Sequence, residues 1–495
     1  MNLKEAEKIL VLDPIHGAEV IAEELKELGK DAEVFNPYRE PSFSGDLDYD
    51  LVLAPVHLNP NFEVVKRARK AGIPFATHHT AVKEIAALNS KNLFATAGTN
   101  AGTNAGTNAG TNAGTNAGTK VVEVTGTVGK TAVCELICQL LKDKAVLSHT
   151  SSATRFRPAA AGGEGTGGGG RGRGREGGEK GEVRFPRIGG TPANVLKVAR
   201  LAREKGLTPE VAVFEVSLGL TGVGDVGVVT SLNEDYRIAG GTKDASAAKI
   251  ASLKNYADAG KDKDKPRSVV VLPKNFLTKI LSSEENGFNE NTFGGEGANL
   301  WLNEGESKVV FNGLKTANSG SLTVSGEKKF SAFGLGGDYY KNALEAAFCA
   351  VLSLGVPPEE VCTENLSAVG GRMKVGKLKG RFLIDNSNSG TKLKFLDEIA
   401  EKARRISEKG KMILIVGEES EYVCEGVELE ELKGVVEKRA AEFAETIIVG
   451  EKFRGKIKVK SERVFFSDRL DAALERAVRD SEPGSVIISN VKTWR

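Results

Sequence analysis

The chain has 495 residues, of which 40% are apolar and 27% charged, with a formal net charge of +2. That length accommodates about two to four domains with cores of their own. The composition is that of an ordinary soluble protein, and the near-neutral charge removes any general argument for a nucleic-acid or membrane partner. Five cysteines (Cys134, Cys138, Cys349, Cys362 and Cys424) are odd in number and form no C-x-x-C pair. Three of them lie in apolar helical patterns and read as small core residues, which suits a reducing compartment. The N-terminus carries charges where a signal peptide needs an apolar run, and no stretch reaches the length of a membrane span. A cytoplasmic protein is expected.

Residues 1–96 read as a small α/β unit. Strands are expected at Ile9–Leu12, Ala32–Phe35 and Leu51–Leu53, with helices from Gly17 to Leu28 and from Phe62 to Ala71. Alternation of this kind makes a parallel sheet, which binds ligands beyond the carboxyl ends of its strands. Asp13, His16 and His57 fall there, and His78 and His79 follow Ile73-Pro-Phe75, a further candidate strand end. Four of the chain's five histidines thus gather in one domain. They are candidate ligand-facing residues. Metal ligation is open to them, but no H-x-x-x-H spacing or cysteine partner supports it.

Residues 97–120 repeat Ala-Gly-Thr-Asn five times and end in Ala-Gly-Thr-Lys. Without a large apolar residue the repeat has no face to bury, and it reads as a linker. Strand, glycine turn and helix follow in Val121-Val-Glu-Val-Thr-Gly-Thr-Val-Gly-Lys-Thr-Ala-Val-Cys-Glu-Leu136. This is the geometry of a phosphate cradle. Turn amides and an open helix N-terminus face an anion, Lys130 adds a point charge, and the Thr131 hydroxyl stands where a Mg²⁺ ligand belongs. The loop Thr125, Gly126, Thr127, Val128, Gly129, Lys130, Thr131 is shorter than the common Walker A pattern, with two residues between its glycines rather than four.

A strand at Ala145–Leu147 comes next, then a glycine-dominated stretch within 159–187 that includes Arg171-Gly-Arg-Gly-Arg175. Three interrupting glutamates and the lack of aromatics favour a disordered surface insert over an RNA site. A helix over Thr191–Arg203 is expected, with Thr191 as N-cap and Pro192 in its first turn. Strands at Val211–Ser217 and Val226–Ser231 place Glu215 at a strand tip beside the loop. A carboxylate there completes a Mg²⁺ shell. Residues 265–330 read as short strands and turns, and Tyr339–Leu354 as a helix. A last α/β unit follows, with strands at Arg381–Ile384, Met412–Val416, Thr446–Val449 and Val486–Ile488.

Taken together, the motifs resemble the Mur ligase superfamily, which includes folylpolyglutamate synthetases. Thr125–Thr131 matches its T-G-T-x-G-K-T/S loop, and Glu215-Val-Ser217 and Thr230–Asp235 match its E-x-S and T-N/S-x-x-x-D strand ends. Ala248-Lys249 resembles the pair whose lysine is often carbamylated to hold a second Mg²⁺. Asn342 resembles the adenine-contacting asparagine, Arg372 the domain-joining arginine and Asp385 the ribose-contacting acid. Asp13–Gly17, His57–Pro60, Thr77–His79, Ile238–Gly241, Asp385–Gly390 and Val491–Arg495 further resemble the archaeal Mur-like branch that makes coenzyme F(430), a nickel tetrapyrrole. Two departures stand out: Val128 replaces the usual asparagine or lysine, and Tyr236 replaces a histidine used for a second metal.

The resemblance implies a three-domain α/β architecture. Its parts would be a Rossmann-like substrate domain (1–96), a linker (97–120), a central P-loop ATPase domain (121–372) and a Rossmann-like C-terminal domain (373–495). It implies ATP and Mg²⁺ as cofactors and a nickel tetrapyrrole acid as substrate. The expected reaction is activation of a carboxylate as an acyl phosphate, followed by carbocyclic ring closure. Lys130, Glu215 and Lys249 would be catalytic, with Thr131, Glu215 and Lys249 holding metal. A Mur-type amide ligase shares all the ATP chemistry, and a non-catalytic nucleotide- or RNA-binding protein is the third reading. Oligomeric state does not follow from the sequence.

Overall fold

A computed structural model describes residues 2–40, 42–89, 93–94, 118–160, 181–186, 188–233, 235–257, 268–276, 288–303, 306–317, 319–333, 335, 338–388, 390–407, 410–419, 426–457 and 462–493. The repeat from 97 to 117, the glycine-rich stretch from 161 to 180, Cys424 and Trp494-Arg495 lie outside these residues. The chain divides into two compact units, residues 1–331 with 341–364, and residues 332–340 with 365–495.

The first unit opens with a four-stranded parallel sheet. Its strands are β1 (Lys8–Leu12), β2 (Asp31–Phe35), β3 (Leu51–Ala54) and β4 (Phe75–Thr77), in the order β2-β1-β3-β4. The unbroken apolar run of β1 reflects burial of both faces. Ile9 and Val11 pack with Ile21 and Leu25 of α1 (Ala18–Glu27) and with Val82 and Ile85 of α3 (His78–Leu88). Leu10 and Leu12 point the other way, onto Val64, Val65 and Ala68 of α2 (Glu63–Lys70). The strand expected around Ile73–Phe75 lies slightly later in the chain. Thr77 then caps α3, its Oγ1 accepting from the Thr80 amide at 3.1 Å.

The second sheet of this unit has eleven strands. At its centre β5 (Lys120–Thr125) runs parallel between β9 (Val211–Glu215) and β10 (Val226–Val229). Beyond β9 come β6 (Val146–His149), β7 (Thr154–Arg157) and β8 (Val183–Arg184), the last two antiparallel. Beyond β10 come β13 (Val269–Pro273), β14 (Asn289–Phe293), β15 (Leu300–Asn303), β16 (Lys308–Thr316) and β17 (Ser319–Lys329). A small hairpin, β11 (Arg237–Ile238) with β12 (Lys243–Asp244), stands apart. The helices are α4 (Lys130–Leu140), α5 (Asn194–Glu204), α6 (Ala245–Ser252), α7 (Lys254–Ala257) and most of α8 (Asp338–Ser353).

Two expectations need correction. Residues 265–330 hold long strands, since β16 has nine residues and β17 eleven. The sequence Ser319–Lys329 is mostly small and polar, and its pairing with the half-buried β16 carries it. Helix α5 begins at Asn194 with Ala193 at the cap position, so Thr191 is not its N-cap. A turn comes first, in which the Asn194 amide donates to Thr191 O at 3.1 Å. The reason is packing: the segment presses on Gly17, where an added Cβ would lie 2.6 Å from Ala193 Cβ.

The second unit is a six-stranded sheet in the order β20-β21-β25-β22-β23-β24. These are β20 (Lys374–Leu378), β21 (Arg381–Asp385), β22 (Met412–Glu418), β23 (Glu445–Val449), β24 (Val464–Ser467) and β25 (Val486–Lys492), parallel except for β20. A two-residue pair joins β18 (Ala332–Phe333) to β19 (Leu366–Ser367). Helices α9 (Leu396–Ile406), α10 (Leu429–Arg439) and α11 (Leu470–Arg479) accompany the sheet. Leu470, Ala473 and Ala477 of α11 pack on Ile413, Ile415, Ile447 and Ile487. Among the described residues no helix is long and apolar enough to cross a membrane.

Strand β5 is held by a buried carboxylate that the sequence reading passed over. Glu123 is fully buried and accepts from the Thr221 amide at 3.1 Å, the Gly222 amide at 2.9 Å, and the Tyr256 hydroxyl at 2.8 Å. It also accepts from the Thr221 hydroxyl. The fold of 221–224 is thereby tied to the strand that feeds the glycine turn. Glu123→Leu would strand these donors in a dry interior, and a loss of roughly 3–5 kcal/mol is expected in denaturant unfolding. Tyr256→Phe, which removes one donor, should cost only about 1–2 kcal/mol.

Candidate functional site

The glycine turn connects β5 to α4 as the sequence spacing anticipates. Gly126 has φ 145° and Gly129 φ 87°, both in the region that favours glycine. At Gly126 space adds to the constraint, because a Cβ would lie 2.1 Å from Thr230 Oγ1. The turn is pinned to the end of β10. Thr127 donates its amide to Ser231 O at 2.8 Å and its hydroxyl to the same oxygen at 3.1 Å, and the Thr230 hydroxyl donates to Val128 O. Helix α4 starts at Lys130, whose Nζ lies 3.0 Å from Gly126 O. The first amides of a helix have no carbonyl ahead of them in the helix, so this end presents an anion-favouring field.

Glu215 ends β9 and is buried to 5% exposure beside the start of α4. Its Oε2 accepts from Thr131 Oγ1 at 2.8 Å and from the Ser151 amide at 3.0 Å, with Ser151 Oγ at 3.3 Å. These donors are neutral. A buried carboxylate satisfied by hydroxyl and amide groups is a hard, oxygen-rich donor set that suits Mg²⁺. The residues present therefore fit a divalent cation and a phosphate chain. Ser151 is the member the sequence reading missed; its position after β6, the neighbour of β9, was the available signal.

Lys249 lies on α6 and is 1% exposed. Its Nζ sits 5.1 Å from the centroid of the Tyr236 ring and 3.4 Å from Ala245 O. The tyrosine that departs from the family pattern thus packs its face against the lysine. Asn342 stands exposed on α8 in the first unit. Arg372 and Asp385 belong to the second unit, where both are half-buried. Asp385 closes β21 and accepts from the Ser387 amide at 3.1 Å.

The histidines separate into two groups. His16 and His57, half-buried, meet at the carboxyl edge of the first sheet with ring centroids 4.3 Å apart. Fully buried Asp13 joins them, its Oδ2 being 2.7 Å from His16 Nδ1 and 3.7 Å from His57 Nε2. His78 and His79 are buried in the first turn of α3. His79 Nε2 lies 2.9 Å from Ser217 O, which ties the small domain to the strand end that carries Glu215. His78 is wholly buried against the His16 backbone. The remaining histidine, His149, is held through Nδ1 to Thr154 Oγ1 at 2.8 Å and through Nε2 to Gly189 O at 3.1 Å.

Burial pushes His78 down to about 3 and His79 and His149 down to about 4, from 6.5. All three are neutral in the fold, whereas the unfolded chain takes up protons as soon as pH falls below about 6.5. Their effect on stability is therefore nil above that pH and grows unfavourable as pH falls from about 6.5 through about 4. Melting temperatures across this window should decline. His78→Leu, which removes one of these buried imidazoles, should decline less steeply than the wild type.

Known proteins resemble this chain along its length. Residues 375–493 match the family model described as the C-terminal domain of coenzyme F430 synthetase CfbE. A coenzyme F(430) synthetase from Methanosarcina acetivorans is 28% identical over 526 aligned residues, covering 99% of both chains. One from Methanocaldococcus jannaschii is 27% identical, covering 50% of each. Among solved structures, the bifunctional folylpolyglutamate synthase/dihydrofolate synthase of Yersinia pestis, complexed with AMPPNP and Mn ion, aligns with a TM-score of 0.51 and 14% identity. That alignment covers 82% of this chain and 89% of the other. At that identity it speaks for the fold, which is the multi-domain α/β arrangement the motifs implied. The chain is thus similar over its full length to a coenzyme F(430) synthetase, and its residues 375–493 match the model of that family's C-terminal domain.

Proposed function

We propose that this chain is an ATP-dependent ligase that activates a carboxylate of a nickel tetrapyrrole acid and closes a carbocyclic ring on it. The observation that carries the ATP chemistry is the buried Glu215 carboxylate 2.8 Å from the Thr131 hydroxyl at the mouth of the glycine turn. In this reading residues 121–372 bind Mg²⁺-ATP and residues 1–96 hold the macrocycle, with Asp13, His16, His57, His78 and His79 at its binding edge. Residues 373–495 supply Asp385 to the ribose, while Arg372 joins the domains and Asn342 meets the adenine. The names of the two archaeal relatives support the substrate class. The protein works in the cytoplasm.

The chain's own residues have defined tasks. The turn from Thr125 to Thr131 cradles the phosphates through its amides, and Lys130 neutralises charge that builds on the transferring group. Thr131 and Glu215 would hold Mg²⁺, which would supply polarisation of the phosphoryl oxygens. Lys249, as a carbamate, would add a further oxygen ligand. The γ-phosphoryl group moves to a substrate carboxylate oxygen as ADP departs. A carbon nucleophile of the same substrate then attacks the acyl carbon; the acyl C–O bond to phosphate breaks, phosphate leaves, and the proton of the nucleophilic carbon passes to solvent.

The test is ADP release from Mg²⁺-ATP with the nickel seco-acid precursor, beside amino-acid and folate controls. Release with the precursor alone is expected. Release only with an amino acid or folate would make the chain an amide ligase instead. Lys130→Ala should lower turnover by ~10²–10³; full activity in that variant would remove the turn from the mechanism.

A further inference from the structure

The cluster at the carboxyl edge of the first sheet has a chemistry of its own. Among the described residues, Asp13, His16 and His57 form the only grouping of three metal-capable side chains whose donor atoms all lie within 4.8 Å of one another. Asp13 and His16 follow β1, and His57 follows β3, so two adjacent parallel strands aim the donors at one point. We propose that Asp13, His16 and His57 form a binding site for a single borderline divalent transition-metal cation, of the Ni²⁺, Co²⁺ or Zn²⁺ class.

Four observations carry this. The Asp13 carboxylate is fully buried, and its ion-pair partners are imidazoles, not lysine or arginine. A divalent cation is the group that balances such a charge. Asp13 holds φ 77°, a left-handed conformation unusual for a non-glycine residue, and this conformation sends its side chain to the cluster. His57 Nε2 is buried and has no hydrogen-bond partner. A supporting shell is also in place: the His16 amide donates to Asp13 Oδ1 at 3.2 Å and the Tyr38 hydroxyl to Asp13 Oδ2 at 3.4 Å. His16 keeps 30% of its side chain exposed, which leaves an entry path. Two imidazoles with one carboxylate select borderline transition metals over Mg²⁺ or Ca²⁺. A neutral imidazole that ligates through Nδ1 carries its ring proton on Nε2, so His16 Nδ1 and Asp13 Oδ2, 2.7 Å apart, can face one cation together.

The site uses residues that the proposed function places at the macrocycle edge, but it does not depend on the carboxylate activation, and its test uses neither nucleotide nor tetrapyrrole. The full-length protein, stripped with chelator, is titrated with Co²⁺ in excess Mg²⁺ and followed by visible absorption and calorimetry. One equivalent is expected. His16→Ala and His57→Ala should each weaken binding on the order of 100-fold, and Tyr38→Phe about 10-fold. Lys130→Ala should bind Co²⁺ as the wild type does while losing ADP release, so the two proposals fail separately. Melting curves of each variant establish folding, and His57→Gln serves where His57→Ala melts early. Binding unchanged in the folded histidine variants, or no stoichiometric binding by the wild type, overturns the site.

Discussion

Everything in the first unit is arranged around one buried carboxylate. Glu215 cannot sit in a dry interior without partners, and it finds them in the Thr131 hydroxyl and the Ser151 amide. That contact requires β9 to lie beside β5 and α4 to leave β5 through a turn tight enough to bring Thr131 back over the strand end. The strand order β10-β5-β9-β6 supplies the first condition. The positive φ angles of Gly126 and Gly129 supply the second. Glu123, buried two residues before Thr125, then locks the strand to the segment 221–224. The glycine turn is thus placed by two acids on adjacent strands, Glu123 of β5 and Glu215 of β9.

The small N-terminal sheet turns its functional edge toward that cradle. His79 bonds Ser217, two residues past Glu215, and the Gly219 amide bonds Thr125 Oγ1 at 3.2 Å. On the same side an added Cβ at Gly240 would lie 2.7 Å from Asn59, just after His57. Carboxyl ends of parallel strands are where α/β sheets bind ligands. Two such edges thus lie on one side of the first unit. The Asp13, His16 and His57 cluster adds an imidazole-rich corner to it, distinct in donor chemistry from the oxygen-lined Thr131 and Glu215 pair.

Much of this was legible in the residues. The turn, α4, β9 and Glu215 follow from a period-two pattern that breaks at glycine and resumes at helical spacing. The meeting of Asp13 with His57 was legible only as a shared sheet edge, since their distance depends on β1 pairing with β3. Thr191 misled because its local sequence reads as a cap, while contact with Gly17 decides its conformation. Glu123 was hidden inside an apolar run, where a lone acid looks like an edge residue. β17 gave little signal because small polar residues form a strand only when a partner such as β16 is present. Local pattern reads local structure; what depends on pairing or on contacts distant in sequence does not show in it.

The central claim is that a substrate carboxylate is phosphorylated before the new bond forms. A heavy-oxygen label placed in the carboxylate of the nickel seco-acid tests it directly. If an acyl phosphate forms at the cradle, one labelled oxygen must appear in the released phosphate, as read by mass spectrometry, in step with ADP. Phosphate free of label, with product still formed, would contradict carboxylate activation and leave the cradle as a site for energy-driven movement rather than chemistry.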